Sequence, residues 1–165
     1  LREHSGIPAV IDPVMVATSG AILLEKNAIT ALEEDLLPLA GCLTPNLDEG
    51  AILLGGKKIS KSGITPAATE LAARYAVPVL LKGGHLKDRE ARDVLAFPDG
   101  TVHSFTFSRI DQINTHGSGC TLSSAIAAQI ALGRDLKEAI GYAISYLRKG
   151  MEAPCILNGQ SFIAH

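Results

Sequence analysis

Residues 42–49 read Cys-Leu-Thr-Pro-Asn-Leu-Asp-Glu, a short apolar run that passes through a turn into a helical pattern over residues 47–54. Short apolar runs bounded by Gly, Pro, Asn or Asp predict buried strands. Four more such runs are present, at residues 9–12, 77–82, 94–97 and 102–107. Apolar residues recur at three- and four-residue steps elsewhere, which predicts further helices over residues 25–37, 67–75, 121–132 and 136–149.

The order of these elements indicates the α/β class. Strand and helix alternate through the first half, Pro98-Asp99-Gly100 predicts a hairpin turn, and two helices close the chain. Thr65-Pro66 and Asp135-x-x-Glu138 predict helix starts. In α/β sheets, ligands bind beyond the carboxyl ends of the strands. The residues that follow the strands are therefore the candidates for chemistry, namely those from Asp12, Thr44, Lys82 and Thr115 onward.

Composition narrows the class of protein. With 165 residues, of which 47% are hydrophobic, the chain is long enough for one domain over residues 1–165. A formal net charge of -2 provides no basic surface for a nucleic acid. The apolar runs are far shorter than the ~20 residues of a membrane-spanning helix, and residues 1–12 do not resemble a signal peptide. We expect a cytoplasmic protein with no nucleic-acid or membrane partner.

Two further features concern the start of the chain and its thiols. Residues 1–12 read as the end of a helix that runs directly into a strand, so we expect an N-terminal segment to be missing. Three widely spaced cysteines fit neither a disulfide framework nor a zinc site.

Residues 114–121 read Asn-Thr-His-Gly-Ser-Gly-Cys-Thr and lead straight into an apolar helix. Backbone amides at such a glycine turn, together with the positive end of the helix dipole, can hold an anion. We interpret Gly117, Ser118 and Gly119 as an anion hole for a transferring phosphoryl group. The alternative is a plain glycine-rich entry to a helix.

Cys120 lies in the first turn of this predicted helix. That position suits a base that takes a proton from a substrate hydroxyl. The alternative is a small buried hydrophobic residue. A Cys-His nucleophile pair with His116 is disfavoured, because residues this close in a loop seldom reach that geometry.

Polar residues at the other strand ends each allow two interpretations. Lys82 suits nucleotide phosphates, or is simply solvated. Glu49, with Asn46, suits magnesium held through water, or the pair forms a capping box. Asp12 suits metal or water, or caps the turn before Pro13. An apolar shelf over residues 14–16 follows Asp12.

Two common nucleotide-binding motifs are absent from the sequence. No G-x-x-x-x-G-K-[ST] occurs, which excludes a P-loop enzyme, and no G-x-G-x-x-G follows the first strand, which disfavours a dinucleotide fold.

Four motifs in order resemble the hydroxymethylpyrimidine/phosphomethylpyrimidine kinases of thiamin synthesis, from about Ala9 to about Leu147. They are Asp12-Pro-Val-Met-Val, Thr44-Pro-Asn-x-x-Glu49, Lys82-Gly-Gly-His85 and Asn114-Thr-x-Gly-x-Gly-Cys-Thr121. The resemblance implies the C-terminal portion of a ribokinase-like three-layer sandwich, with a mostly parallel central sheet flanked by helices. It also implies transfer of the γ-phosphoryl group of ATP to a pyrimidine alcohol and then to its monophosphate.

The resemblance implies roles for individual residues. Cys120 would be the catalytic base and would also contact the substrate, and the backbone of Gly117, Ser118 and Gly119 would form the anion hole. Glu49 would organise Mg²⁺, and Val14 would line the pyrimidine pocket. The residues implied to bind the nucleotide and its metal are Lys82, Thr115, Asn46 and Asp12.

Two alternatives stay open on the sequence. A pyridoxal kinase of the same superfamily shares the strand-end aspartate, the Asn-x-x-Glu type of motif and the glycine loop. A non-catalytic nucleotide-binding fragment is a second alternative. A homodimer is compatible with the sequence.

Overall fold

The computed structural model describes residues 1–4, 6–17, 20–84, 90–110 and 117–164. It contains two compact units, Leu1–Phe107 and Ser108–His165. Within the described ranges, no helix is both long and apolar enough to cross a membrane.

The first unit is built on a five-stranded sheet with the strand order β1-β2-β3-β4-β5. All five predicted strands are confirmed, with these bounds: β1 Val10–Ile11, β2 Cys42–Leu43, β3 Val79–Leu81, β4 Glu90–Ala96 and β5 Val102–Ser108. Strands β1, β2 and β3 are parallel, whereas β4 runs antiparallel to β3. The sheet is therefore mixed, and its parallel part brings the carboxyl ends of three strands to one edge.

The helices of this unit differ in detail from the prediction. Helix α1 covers Lys26–Ala31, and the chain continues through a wider π-turn at Leu32–Leu36 and a 3₁₀ turn at Leu37–Leu39. A single α-helix over residues 25–37 was too regular a prediction, because the bonding widens at Leu32, ahead of Pro38, which has no N–H to continue a helix. Helix α2 covers Leu47–Leu53.

Helix α3 covers Ile64–Tyr75 and packs on β3 and β4. The predicted start at Thr65-Pro66 is wrong, because Gly63 is the N-cap. Pro66 is accepted as the third helical residue because the first N–H groups of a helix have no intrahelical acceptor. The Thr65 hydroxyl instead accepts a hydrogen bond from Arg92 Nη2 at 3.1 Å.

The core of the first unit lies between α3 and the sheet. All three residues of β3 are buried. Helix α3 contributes a stripe at three- and four-residue spacing, in which Ala68, Leu71 and Ala72 are fully buried. This packing holds β3, and hence the residue that follows it, in a fixed position.

The second unit contains helices α4, Ser118–Ala131, and α5, Leu136–Glu152, which pack against each other. The predicted start of α5 is confirmed, since Asp135 Oδ1 accepts the N–H of Glu138 at 2.8 Å. A short hairpin of β6, Cys155–Leu157, and β7, Gln160–Phe162, was not predicted. Gly150 lets the tail lie close to α5, because a Cβ there would collide with the carbonyl oxygen of Ala164.

Candidate active site

Polar side chains meet at the carboxyl edge of the three parallel strands. Asp12 follows β1, Thr44 follows β2 and Lys82 follows β3. The ammonium of Lys82 lies 2.8 Å from Asp12 Oδ1, and the Thr44 hydroxyl donates to the same oxygen at 3.1 Å. Both charged side chains are only 14% exposed. Lys82 is therefore a paired lysine at the predicted ligand-binding edge, and the solvated alternative is wrong.

Backbone contacts with the turn after β2 fix the position of Lys82. The N–H of Lys82 donates to the carbonyl of Pro45 at 2.9 Å, and Asn46 and Lys82 form an isolated parallel bridge. The β2–α2 turn and the end of β3 are therefore joined by the same ladder that builds the sheet. This contact places Lys82 beside Asn46, the N-cap of α2.

Asn46 and Glu49 form a complete capping box at the start of α2. Asn46 Oδ1 accepts the N–H groups of Asp48 and Glu49, each at 2.9 Å, and Glu49 Oε2 accepts the N–H of Asn46 at 2.8 Å. The capping interpretation is thus confirmed. Capping is not the only interaction of Glu49, because its carboxyl also interacts electrostatically with Lys82 and Asp12.

Glu49 is an unusually buried acid, with 3% of its surface exposed. Burial raises its pKa above the ordinary value, while N–H groups of Asn46 and Met15 and the charge of Lys82 act in the opposite direction. Helix α2 thus presents a shielded carboxyl beside a buried ion pair, which is the setting in which perturbed acids take part in function.

The donor atoms at this edge fit magnesium only in an indirect way. Asn46 Oδ1 already accepts two backbone N–H groups, and Asp12 Oδ1 is shared by Lys82 and Thr44. Among the described residues, no three His, Cys, Asp or Glu side chains lie close enough together to hold a metal. Magnesium retains several of its waters in proteins. Asp12 and Glu49 therefore suit an ion that they hold through water.

The segment after Asp12 forms less of a shelf than predicted. Val14 is 47% exposed, as a residue that lines a binding surface would be, but Met15 is completely buried in the core. Val16 forms an isolated antiparallel β-bridge with Ile22. The predicted apolar shelf over residues 14–16 is therefore wrong at Met15, because this side chain packs in the core of the first unit.

Sequence reasoning missed Asp93, which lies on β4. Its Oδ1 accepts the N–H of Gly83 at 2.8 Å, and its side chain is 4% exposed. Burial raises the pKa of Asp93 to about 6. Because charged residues precede Val94, the strand was predicted to start at Val94, which left Asp93 out of it. Alternation from Ala91 to Asp93, both on buried positions, was the signal that could have found it.

The second unit contains the start of α4. Gly117 is the N-cap with φ +81°, a conformation that glycine adopts readily, and a helical bond runs from Thr121 N to Gly117 O at 2.9 Å. The N–H groups of Ser118, Gly119 and Cys120 precede that bond and have no acceptor within the helix. Cys120 is exposed in the first turn, so the buried-hydrophobe alternative is wrong. Thr115 and His116 lie outside the described residues.

A groove runs from Cys120 along α4 within the second unit. Its volume is about 470 Å³, and it is shallow and open to solvent. Its lining includes Cys120, Ser124, Gln129 and Tyr146. The exposed thiol therefore opens onto a concave surface.

Solved structures with the same fold define the class. The chain is similar to a pyridoxal kinase from Bacillus subtilis, solved as an ADP complex, with a TM-score of 0.83 and 36% identity, over 94% of this chain and 59% of that one. It is also similar to phosphomethylpyrimidine kinase from Clostridium difficile, with a TM-score of 0.74 and 32% identity, over 90% and 59% of the two chains. These neighbours confirm the ribokinase-like α/β fold.

A family model described as phosphomethylpyrimidine kinase matches residues 1–163. The chain belongs to the phosphomethylpyrimidine kinase family. It is 47% identical over 149 residues to the hydroxymethylpyrimidine/phosphomethylpyrimidine kinase of Rhizobium meliloti, which covers 90% of this chain and 56% of that protein. The chain thus spans little more than half the length of this relative. The family match also reaches beyond Leu147, where the resemblance in sequence ended.

Proposed function

We propose that residues 1–165 act as one kinase domain that transfers the γ-phosphoryl group of ATP to hydroxymethylpyrimidine and to its monophosphate, in thiamin synthesis in the cytoplasm. The observation that carries the proposal is the meeting of Asp12, Thr44 and Lys82 at the carboxyl edge of three parallel strands. In sheets of this kind, that edge binds the ligand.

In the first unit, Lys82 neutralises nucleotide phosphates. Asp12 keeps the ammonium at the edge until a phosphate replaces the carboxylate as its partner. Asp12 and Glu49 are the residues that would hold magnesium through water, with Asn46 keeping Glu49 in place. When bound, magnesium supplies charge neutralisation on the phosphates. Val14 contributes an exposed apolar surface for the pyrimidine ring.

In the second unit, Cys120 acts as the base. The substrate hydroxyl oxygen forms a bond to the γ-phosphorus of ATP, the bond to the bridging oxygen breaks, and ADP leaves. The proton of the hydroxyl passes to the sulfur of Cys120. The N–H groups of Ser118, Gly119 and Cys120, with the Gly117 turn, stabilise charge on the transferring group. The groove beside Cys120 supports this assignment. A nucleotide contact by Thr115 rests on the motif alone.

Pyridoxal is the second candidate substrate. It is favoured by a TM-score of 0.83 to a pyridoxal kinase, against 0.74 to a phosphomethylpyrimidine kinase. The family match and the sequence identity to the Rhizobium meliloti enzyme favour the pyrimidine.

A phosphorylation assay tests the proposal. ATP consumption is measured with hydroxymethylpyrimidine and with pyridoxal, with and without magnesium, and the Rhizobium meliloti enzyme is the positive control. A magnesium-dependent preference for the pyrimidine alcohol supports the proposal, and a preference for pyridoxal supports the second candidate. No turnover of either alcohol, beside an active control, contradicts both. Sedimentation equilibrium tests whether the chain forms a homodimer.

A further inference from the structure

Asp93 touches the glycine turn that follows Lys82. Leu81 of β3 lies opposite Val94 of β4, and one step further along this register brings Lys82 and Asp93 to the same level. Asp93 Oδ1 accepts the N–H of Gly83 at 2.8 Å. That N–H belongs to the peptide that joins Lys82 to Gly83, so the bond fixes the orientation of this peptide.

The turn and β4 are packed too closely for any residue other than glycine. A Cβ at Gly83 would collide with the backbone carbonyl of Arg92, and it would lie 3.1 Å from Ile64 Cδ1. Glycine is the residue with the greatest backbone freedom. The close approach therefore requires glycine, whose backbone is flexible, and the Asp93 bond restrains the peptide between Lys82 and Gly83.

We propose that Asp93 is a positioning residue that orients Lys82 for its phosphate ligand by fixing the Lys82–Gly83 peptide. The functional part of this inference rests on the proposed contact of Lys82 with nucleotide phosphates.

The structural part of the role of this side chain is to accept the buried N–H of Gly83. A buried carboxyl is costly to desolvate, and a single accepted N–H bond returns only part of that cost. Leucine has nearly the same shape and would avoid that desolvation cost, but it would leave the buried Gly83 N–H without this acceptor. The bond to Gly83 and the electrostatic interaction of Asp93 with Lys82 are what an acid provides here and a hydrocarbon does not.

Three variants separate positioning from stability. Asp93→Asn keeps an oxygen that can accept the Gly83 N–H, Asp93→Leu removes it, and Val94→Ala weakens the same strand without touching the turn. The apparent KM for ATP and kcat are measured for each. The reactivity of Lys82 toward an acylating reagent is followed by mass spectrometry without nucleotide.

We expect Asp93→Leu to raise the KM for ATP about tenfold or more, as a misplaced binding group does, and to raise the reactivity of Lys82 several-fold. Asp93→Asn should stay within about twofold of the wild type in both readouts. Val94→Ala should lower the melting temperature and leave both readouts unchanged. If the leucine variant does not fold, Asp93→Ser replaces it, because its hydroxyl is too short to reach Gly83.

The inference is overturned if removal of the acceptor leaves the KM for ATP and the reactivity of Lys82 at wild-type values, or if Val94→Ala changes them equally. Lys82→Ala tests the proposed function separately. If it does not change the KM for ATP, the phosphate contact of Lys82 is wrong, while the acylation rate of Lys82 in the Asp93 variants still decides whether Asp93 positions it.

Discussion

The sheet edge of the first unit and the start of α4 in the second unit hold their functional groups in opposite ways. Asp12 and Lys82 are 70 residues apart in sequence, and their side chains are largely buried. Gly117 and Cys120 belong to a single helical turn, and Cys120 is exposed. The first arrangement depends on tertiary structure, whereas the second depends on local backbone geometry.

This difference separates an arrangement suited to binding a charged ligand from one suited to proton transfer. A buried ion pair keeps its geometry because the sheet and the α3 layer hold both partners, and it suits the binding of a highly charged ligand. An exposed thiol in the first turn of a helix needs little support and suits a group that must exchange a proton. Changes at the sheet edge should therefore affect stability as well as binding, whereas changes at Cys120 should affect turnover alone.

Replacement of Cys120 should give the largest effect. We expect Cys120→Ala to lower kcat about 10²–10⁴-fold, the usual range for a lost general base, with little change in melting temperature because the side chain is exposed. Steady-state kinetics beside thermal denaturation check this. Cys155→Ala, at the other exposed thiol, is the matched control and should retain full activity. An unchanged kcat in Cys120→Ala would remove this residue from the role of base.

Adjacent glycines give the sharpest test of packing at the sheet edge. Gly83→Ala should lower the free energy of unfolding by about 3 kcal/mol, because its Cβ would collide with the Arg92 carbonyl. Gly84→Ala is the control, since a Cβ there meets nothing within 4 Å. Urea denaturation of both variants measures the difference. Equal losses in the two would show that β4 does not confine the turn.

The pH dependence of stability should report on Asp93. Burial raises its pKa from 3.8 to about 6, against the opposing charge of Lys82. Between these values the folded protein retains a proton that the unfolded chain has released, so stability falls as the pH rises toward 6 and then levels off. This contribution should be about 1–3 kcal/mol.

Asp93→Asn isolates that contribution, because the other carboxyls cancel in the difference from the wild type. Urea unfolding of both proteins at several values between pH 4 and pH 7 measures it. If the difference in unfolding free energy does not vary with pH, the carboxyl of Asp93 is not shielded as the structure indicates.

The smallest effect should come from the cap of α2. Asn46→Ala removes the acceptor for two N–H groups and should cost about 1 kcal/mol of stability, a typical value for a lost N-cap. Asn46→Asp keeps an acceptor and should recover most of that loss. A fall in the affinity for magnesium in Asn46→Ala, beyond that of an equally destabilised variant, would show that the cap also holds Glu49 for the metal.

Local signals predicted much of this molecule. Short apolar runs located all five strands of the main sheet, and the glycine turn placed Cys120 in the first turn of a helix, because both follow from neighbouring residues. The pairing of Lys82 with Asp12 could not be predicted, since sequence places both at one edge without joining them. Asp93 was missed because a charged residue argues against a buried strand unless its partner, here the Gly83 N–H, is known.

Because Cys42 is buried, thiol labelling can report on unfolding. Cys42 in β2 is fully buried, and burial raises its pKa to about 12, whereas Cys120 and Cys155 are exposed. A thiol-specific chromophore should therefore react at once with two cysteines of the native chain and with the third only when the sheet opens. Since Cys42 lies in the first unit, the rate of the slow labelling phase measures the opening of that unit alone. No engineered reporter is required.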